Sequence, residues 1–174
     1  MNPKDFKESW INEEDSLESF DTSLLRNLQI DSLTKEYLLF GLPKDAAPFL
    51  SFGPYHDANL QSVSEQFGIG SEFDHFRIIG WNGYGDPIVI DEKTHNIVYL
   101  NHDDEFGYVF MNSSIGQLLQ FLLIFREFVE LINAEPVEKH QALFKVALAK
   151  LRTIDTTAIQ EGTWEEDLKS FIEQ

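Results

Sequence analysis

The chain has 174 residues, with 13 basic against 30 acidic side chains, a net charge of −17 at neutral pH, and no cysteine. The lack of cysteine excludes disulfide scaffolds, thiol catalysis and cysteine-ligated zinc or iron–sulfur sites. The charge disfavours nucleic-acid phosphates and anionic membranes and favours cationic partners.

The segment Met1–Glu14 is charged throughout and lacks the basic start and apolar run of a signal peptide. The longest apolar stretch, around Phe121 to Phe125, falls well short of the roughly 18 consecutive apolar residues of a membrane span. A cytoplasmic protein is expected. Weak helical spacing at Phe6 and Trp10, then Leu24, Leu25 and Leu28, makes residues 1–31 look like a peripheral helical extension. A second unit spans 32–174. There Ser32 reads as the N-cap of a helix carrying Leu33, Tyr37, Leu38 and Phe40. Gly41 stops it, and Pro43 forbids its continuation.

From Phe49 to Phe73 short apolar pieces alternate with turn formers, and Leu60–Phe67 fits either a strand or one helical turn. The pattern then becomes β. Runs at Phe76–Ile79, Pro87–Ile90, Ile97–Leu100 and Tyr108–Met111 are separated by short connectors, which requires antiparallel meander pairing. Ser114 with Gln117 three residues on predicts a capping box before a helix reaching about Ile132. That helix is apolar almost all round, so it must be buried. Pro136 suits the first turn of a further helix through Leu143, Val146, Ala147 and Leu151. Thr163 with Glu166 predicts another capping box before a terminal helix, Trp164 to Ile172. The order gives an α+β single domain, an antiparallel meander sheet with helices packed on one face.

Acid is concentrated rather than spread. Met1–Asp31 has three basic and eight acidic residues, Pro54–Phe110 two and ten, and Arg126–Arg152 five and four. The densest cluster is His102-Asp103-Asp104-Glu105. Carboxylates suit hard cations, but the alternating ligands and central glycine of a calcium loop are missing, so a solvated acidic loop is the better reading. The five histidines, His56, His75, His95, His102 and His140, lack metal-binding or general-base spacing. Gly80-Trp81-Asn82-Gly83-Tyr84-Gly85 is followed by Asp86 and a strand instead of Lys-Ser/Thr and a helix, so it is a tight turn and not a phosphate loop. Its Trp81 and Tyr84 are either interface anchors or, for Trp81, core. Neither a catalytic centre nor a metal or cofactor site is expected.

The phrases Gly41-Leu42-Pro43, Ile79-Gly80-Trp81-Asn82-Gly83, Gly85-Asp86-Pro87-Ile88, Asp91–Val98 and Met111-Asn112-Ser113-Ser114 occur in an order that resembles the SUKH superfamily, most closely its fourth group. The resemblance covers roughly Ser32 to Phe128. His95-Asn96 departs from it, since the family hairpin commonly carries glycine there. It implies an α+β fold with no conventional catalytic residues. It also implies a bacterial immunity protein that binds and neutralises a polymorphic toxin, often a nuclease or nucleic-acid deaminase. Eukaryotic relatives look like regulators of cell-wall glucan synthesis, which makes a regulatory scaffold the alternative. A metal-dependent hydrolase built on His102 and the acidic loop is the third reading. The expected partner is a basic toxin domain, not nucleic acid or membrane, met by Trp81, Tyr84, Asp86, Asp103, Asp104 and Glu105.

Overall fold

A computed structural model describes residues 1–11, 16–53 and 60–173; His56, considered above, lies outside them. Helix α1 (Pro3–Trp10), strand β1 (Leu17–Glu18) and helix α2 (Thr22–Leu25) precede α3 (Ser32–Phe40) and the short strands β2 (Leu42–Pro43), β3 (Asp45–Ala46) and β4 (Leu50–Phe52). Helix α4 (Val63–Phe67) leads into the meander β5 (Phe76–Asn82), β6 (Pro87–Asp91), β7 (Ile97–Asn101) and β8 (Gly107–Asn112). Helices α5 (Ile115–Ala134), α6 (His140–Ile154), α7 (Thr156–Glu161) and α8 (Trp164–Ser170) complete the chain.

Strands β3 to β8 form one antiparallel sheet in chain order, and β1 pairs with β2 separately. The four runs expected as strands are β5 to β8. Each of β5 and β8 carries an extra residue. Ile78 faces Val89 while Gly80 faces Ile88, so Ile79 bulges. Ile97 faces Asn112 while Val98 faces Phe110, which leaves Met111 as the bulge. A bulge lets neighbouring side chains escape strict alternation. Phe110 and Met111 accordingly both face the larger apolar cluster, whereas Ile78 and Ile79 point to separate clusters on the two faces of the sheet.

The larger cluster joins Ile79, Ile88, Ile90, Ile97, Phe110 and Met111 to the apolar faces of α3, α5, α6 and α8. Around α5, Phe121 and Phe125 pack against Trp164, with ring centroids 5.3 and 6.1 Å apart. The Trp164 indole N–H donates to Met111 O at 3.0 Å, so its polar atom is satisfied in the core. The long helices thus cover one face, as expected. A smaller cluster lies on the other: Val63, Phe76, Ile78, Val89, Val98 and Leu100, with Phe67, Phe73, Trp81 and Phe106 packed on it. This second cover explains why β6 is buried along its whole length and reads as an unbroken apolar run.

Several local readings are corrected. The N-terminal segment is not peripheral, because Phe6, Trp10, Phe20, Leu25, Leu28 and Ile30 are buried in the main core. Arg126 of α5 fixes it there, with its guanidinium donating to Trp10 O and Ser9 O, each at 2.8 Å, and lying 4.5 Å from the Trp10 ring centre. The N-cap of α3 is Asp31, not Ser32, with Asp31 Oδ1 accepting the Thr34 N–H at 2.9 Å. Within residues 60–67 the helical turn α4 takes Val63–Phe67, with a full capping box between Ser62 and Glu65, while Ser62 itself makes an isolated antiparallel bridge to Arg77. Ser114 does cap α5, but Gln117 bonds to the Ser114 hydroxyl and to Ile154 O instead of closing the box on the backbone. Pro136 precedes a 3₁₀ turn, and α6 starts at His140. Thr163 gives α8 no side-chain cap; its hydroxyl donates to Asp167 Oδ2 at 2.9 Å.

Candidate partner-binding surface

Two neighbouring connections, the β5–β6 turn and the β7–β8 loop, hold the candidate residues from the sequence except Trp81, which lies near the end of β5, and one carboxylate ties the two together. In the first, Asn82 Oδ1 accepts the N–H groups of Tyr84 and Asp86 at 3.0 and 2.9 Å, while Asn82 Nδ2 donates to Asp86 Oδ2 at 2.9 Å. This local bonding makes Asn a turn former. Gly85, at φ 85°, takes a conformation other residues adopt at a cost. The turn leaves Tyr84 87% exposed and Asp86 only 5% exposed.

Asp86 Oδ1 accepts the backbone N–H of His102 at 3.0 Å and lies 2.7 Å from His102 Nδ1. The carboxylate is therefore the strut between the two tips. Burial alone would raise its pKa. The bonds from the His102 N–H, the Asn82 amide and the His102 ring outweigh burial and hold it below the ordinary value of 3.8. A carboxyl with a lowered folded-state pKa stabilises fully above its unfolded value, and that stability is lost as the pH falls through the folded value. Asp86→Ala should cost about 2 kcal/mol at neutral pH, the usual worth of bonds to a charged group. The gap between wild type and variant should begin to narrow as the pH drops below about 4 and go on narrowing through the lower folded-state value. Denaturation at pH 7 and pH 3 checks both; a gap no smaller at pH 3 than at pH 7 contradicts this account.

In the β7–β8 loop the Asp103 N–H donates to Asn101 Oδ1 at 3.0 Å, and the Gly107 N–H to Asp104 O at 2.7 Å. Backbone and Asn101 build the loop, so the side chains of Asp103, Asp104 and Glu105 are left at the surface, that of Asp103 87% exposed. Glu105 and Phe106 both have positive φ, 49° and 61°. The left-handed region costs a non-glycine residue roughly 1–2 kcal/mol, and glycine returns part of this through unfolded-chain entropy. Glu105→Gly should thus stabilise the fold by about 0.5–1 kcal/mol. Chemical denaturation measures it, and a lower midpoint would refute the strain.

Phe106 anchors the loop from below, its ring centroid 4.8 Å from that of Phe67 and 5.7 Å from that of Phe73. Trp81 packs on the same cluster, half-buried and edge-on to Phe67 at 6.1 Å, so the choice between interface and core ends mostly in favour of core. Among the described residues no group of three or more His, Asp or Glu is placed to hold a metal ion. No helix of the described residues is long and apolar enough to cross a membrane.

A family model described as the SUKH-4 immunity protein matches residues 10–170. The chain belongs to the SUKH-4 immunity protein family. Comparison with curated proteins gives no match, and comparison with solved structures gives none either. The SUKH-4 match starts at Trp10, inside the segment that Arg126 holds against the core. It also takes in His95, in the turn between β6 and β7. His95 adopts the left-handed conformation itself, at φ 64°. Its ring approaches Gln29 O at 3.2 Å and the Asp31 carboxylate at 3.7 Å, contacts that glycine would not supply.

The sequence reading missed a cleft beside Tyr84. It encloses about 500 Å³ between the β5–β6 turn and α8, and its lining includes Phe49, Tyr84, Tyr99, Trp164, Glu166 and Asp167. These residues come from four separate stretches of the chain, and only the fold assembles them. The one local signal was Phe49, an apolar residue among turn formers.

Proposed function

We propose that the protein binds and neutralises a cognate polymorphic toxin, a basic nuclease or nucleic-acid deaminase, by occupying its cationic cleft with the acidic hairpin tips. The reading places the protein in the cytoplasm and gives it no catalytic step, cofactor, nucleic-acid ligand or membrane contact. Family membership supports the immunity role. The observation that carries the choice of partner is the pairing of two tips through Asp86, which presents Asp103, Asp104, Glu105 and the Tyr84 ring together.

Carboxylates at loop tips can stand in for the phosphates that a nucleic-acid enzyme recognises. Complementary fields raise association rates to as much as about 10⁸–10⁹ M⁻¹s⁻¹ at low salt. Tyr84 adds a large, rigid contact among the charges. Asp86 and Trp81 serve this surface from beneath, by holding the tips in place. The test is stopped-flow association with the toxin domain at low and physiological salt. A rate that falls steeply with salt supports the reading, and a salt-independent rate removes the electrostatic part of it.

A further inference from the structure

The cleft beside Tyr84 is walled by aromatic rings and carboxylates in a way that selects one kind of occupant. Phe49 is 78% exposed, and Tyr84 stands on the same rim. Phe49 also holds φ at 62°, a region that costs an aromatic residue energy. Gly83 makes this possible, because a Cβ there would sit 2.9 Å from the Phe49 Cβ. Apart from a stacked contact with Phe171, at 6.5 Å between ring centroids, the Phe49 ring is left in water by a strained backbone, which folding alone does not favour.

At the cleft wall, Glu166 is exposed and Asp167 half-buried. Among the described residues neither is paired with a Lys, Arg or His; the Arg152 bridge goes to Glu165. Burial, less the Thr163 hydrogen bond, together with nearby Glu166 holds the Asp167 carboxyl above its ordinary range. The Tyr99 phenol is raised too, by burial first and then by Asp167, Asp86, Tyr84 and Glu166. The carboxylates among them, Asp167, Asp86 and Glu166, have the same sign, so the cleft has a negative field with apolar walls.

We propose that this cleft receives an arginine side chain projected from the protein partner, its guanidinium on Asp167 and Glu166 and its plane against Tyr84 and Phe49. Arginine fits better than lysine because its flat, weakly hydrated cation stacks on rings while it bonds a carboxylate in two-pronged fashion. The proposal rests on the toxin-binding reading and adds a specific anchor to it.

Two arms separate the proposal from that reading. In the first, N-acetyl-arginine amide is titrated into the protein by NMR, with N-acetyl-citrulline amide as the neutral isostere. Shifts should centre on Gly83, Tyr84 and the Trp164 indole for the arginine probe, and Asp167→Asn, which keeps an acceptor for Thr163, should abolish them. Equal response to both probes, or shifts elsewhere, overturns the proposal whatever the toxin does. In the second, affinity for the toxin domain should fall about 30-fold in Asp167→Asn and about tenfold in Tyr84→Ala. If both variants bind as wild type does, the cleft is not the anchor and the immunity reading stands. If wild type fails to bind the toxin domain, the immunity reading falls, and the first arm still decides the cleft.

Discussion

Replacing Asp103 and Asp104 by lysine should weaken toxin capture on the order of a hundredfold at low salt and flatten its salt dependence. The double substitution changes the tip charge by four units. It should do so with little disturbance of the loop, because Asp103 and Asp104 contribute backbone groups to its bonding while their side chains face solvent, Asp103 Oδ1 making an exposed contact with His102 Nε2 at 3.5 Å. The loss should fall mainly on the association rate, as expected when charges act over a screening length of about 8–10 Å. Raising salt should bring wild type down towards the variant. Thermal unfolding of the variant should stay within about 1 kcal/mol of wild type, since like charges are being relieved rather than packing removed. An unchanged affinity would move the contact surface away from the β7–β8 loop.

The largest expected effect on stability lies at Asp155, far from the tips. Its buried carboxylate accepts the Ser113 N–H at 2.7 Å, the Ser113 hydroxyl at 3.1 Å and the Ala158 N–H at 3.2 Å. One side chain therefore caps α7 and pins the corner between β8 and α5. Truncation to alanine removes the cap and strands donors in the interior, at a cost of about 3 kcal/mol. For a chain of this length that corresponds to a fall in melting temperature of roughly 10 °C. Asp155→Asn retains Oδ1 for Ser113 Oγ and Ala158 but turns Oδ2, which accepts the Ser113 N–H, into a donor, and should cost about 2 kcal/mol. Equal losses in the two variants would show that the Oδ1 bonds contribute little beside the bond to the Ser113 N–H.

The meander and α5 were legible because each signal is local. The strand runs are β-branched and aromatic and are punctuated by Gly, Pro, Asn and Asp, and α5 is apolar nearly all round. Features that depend on distant partners were not legible. Phe6, Trp10 and Phe20 are thinly spaced in a charged segment, and only Arg126, more than a hundred residues away in sequence, shows where they pack. The cover on the second face was obscured because Leu60–Phe67 is too short for periodicity to decide, although Ser62 and Glu65 have capping-box spacing. At Asp31-Ser32 two good cap formers compete, and the fold uses the carboxylate. Thr163 likewise spends its hydroxyl on Asp167 and leaves the helix start uncapped.

The six candidate contact residues separate by what holds them. Tyr84, Asp103, Asp104 and Glu105 project from the tips, whereas Asp86 and Trp81 face inward as strut and core. Sequence could place them on loops, because glycine and asparagine mark the turns. It could not show that Asp86 reaches across to His102, since that bond spans two hairpins.

The central claim is capture of a toxin, and the most direct test is to co-express this chain with the C-terminal domain of the large toxin that the account expects the adjacent upstream gene to encode. The account predicts that growth is restored and that a stoichiometric complex co-purifies at physiological salt. Undiminished killing with no complex would contradict it.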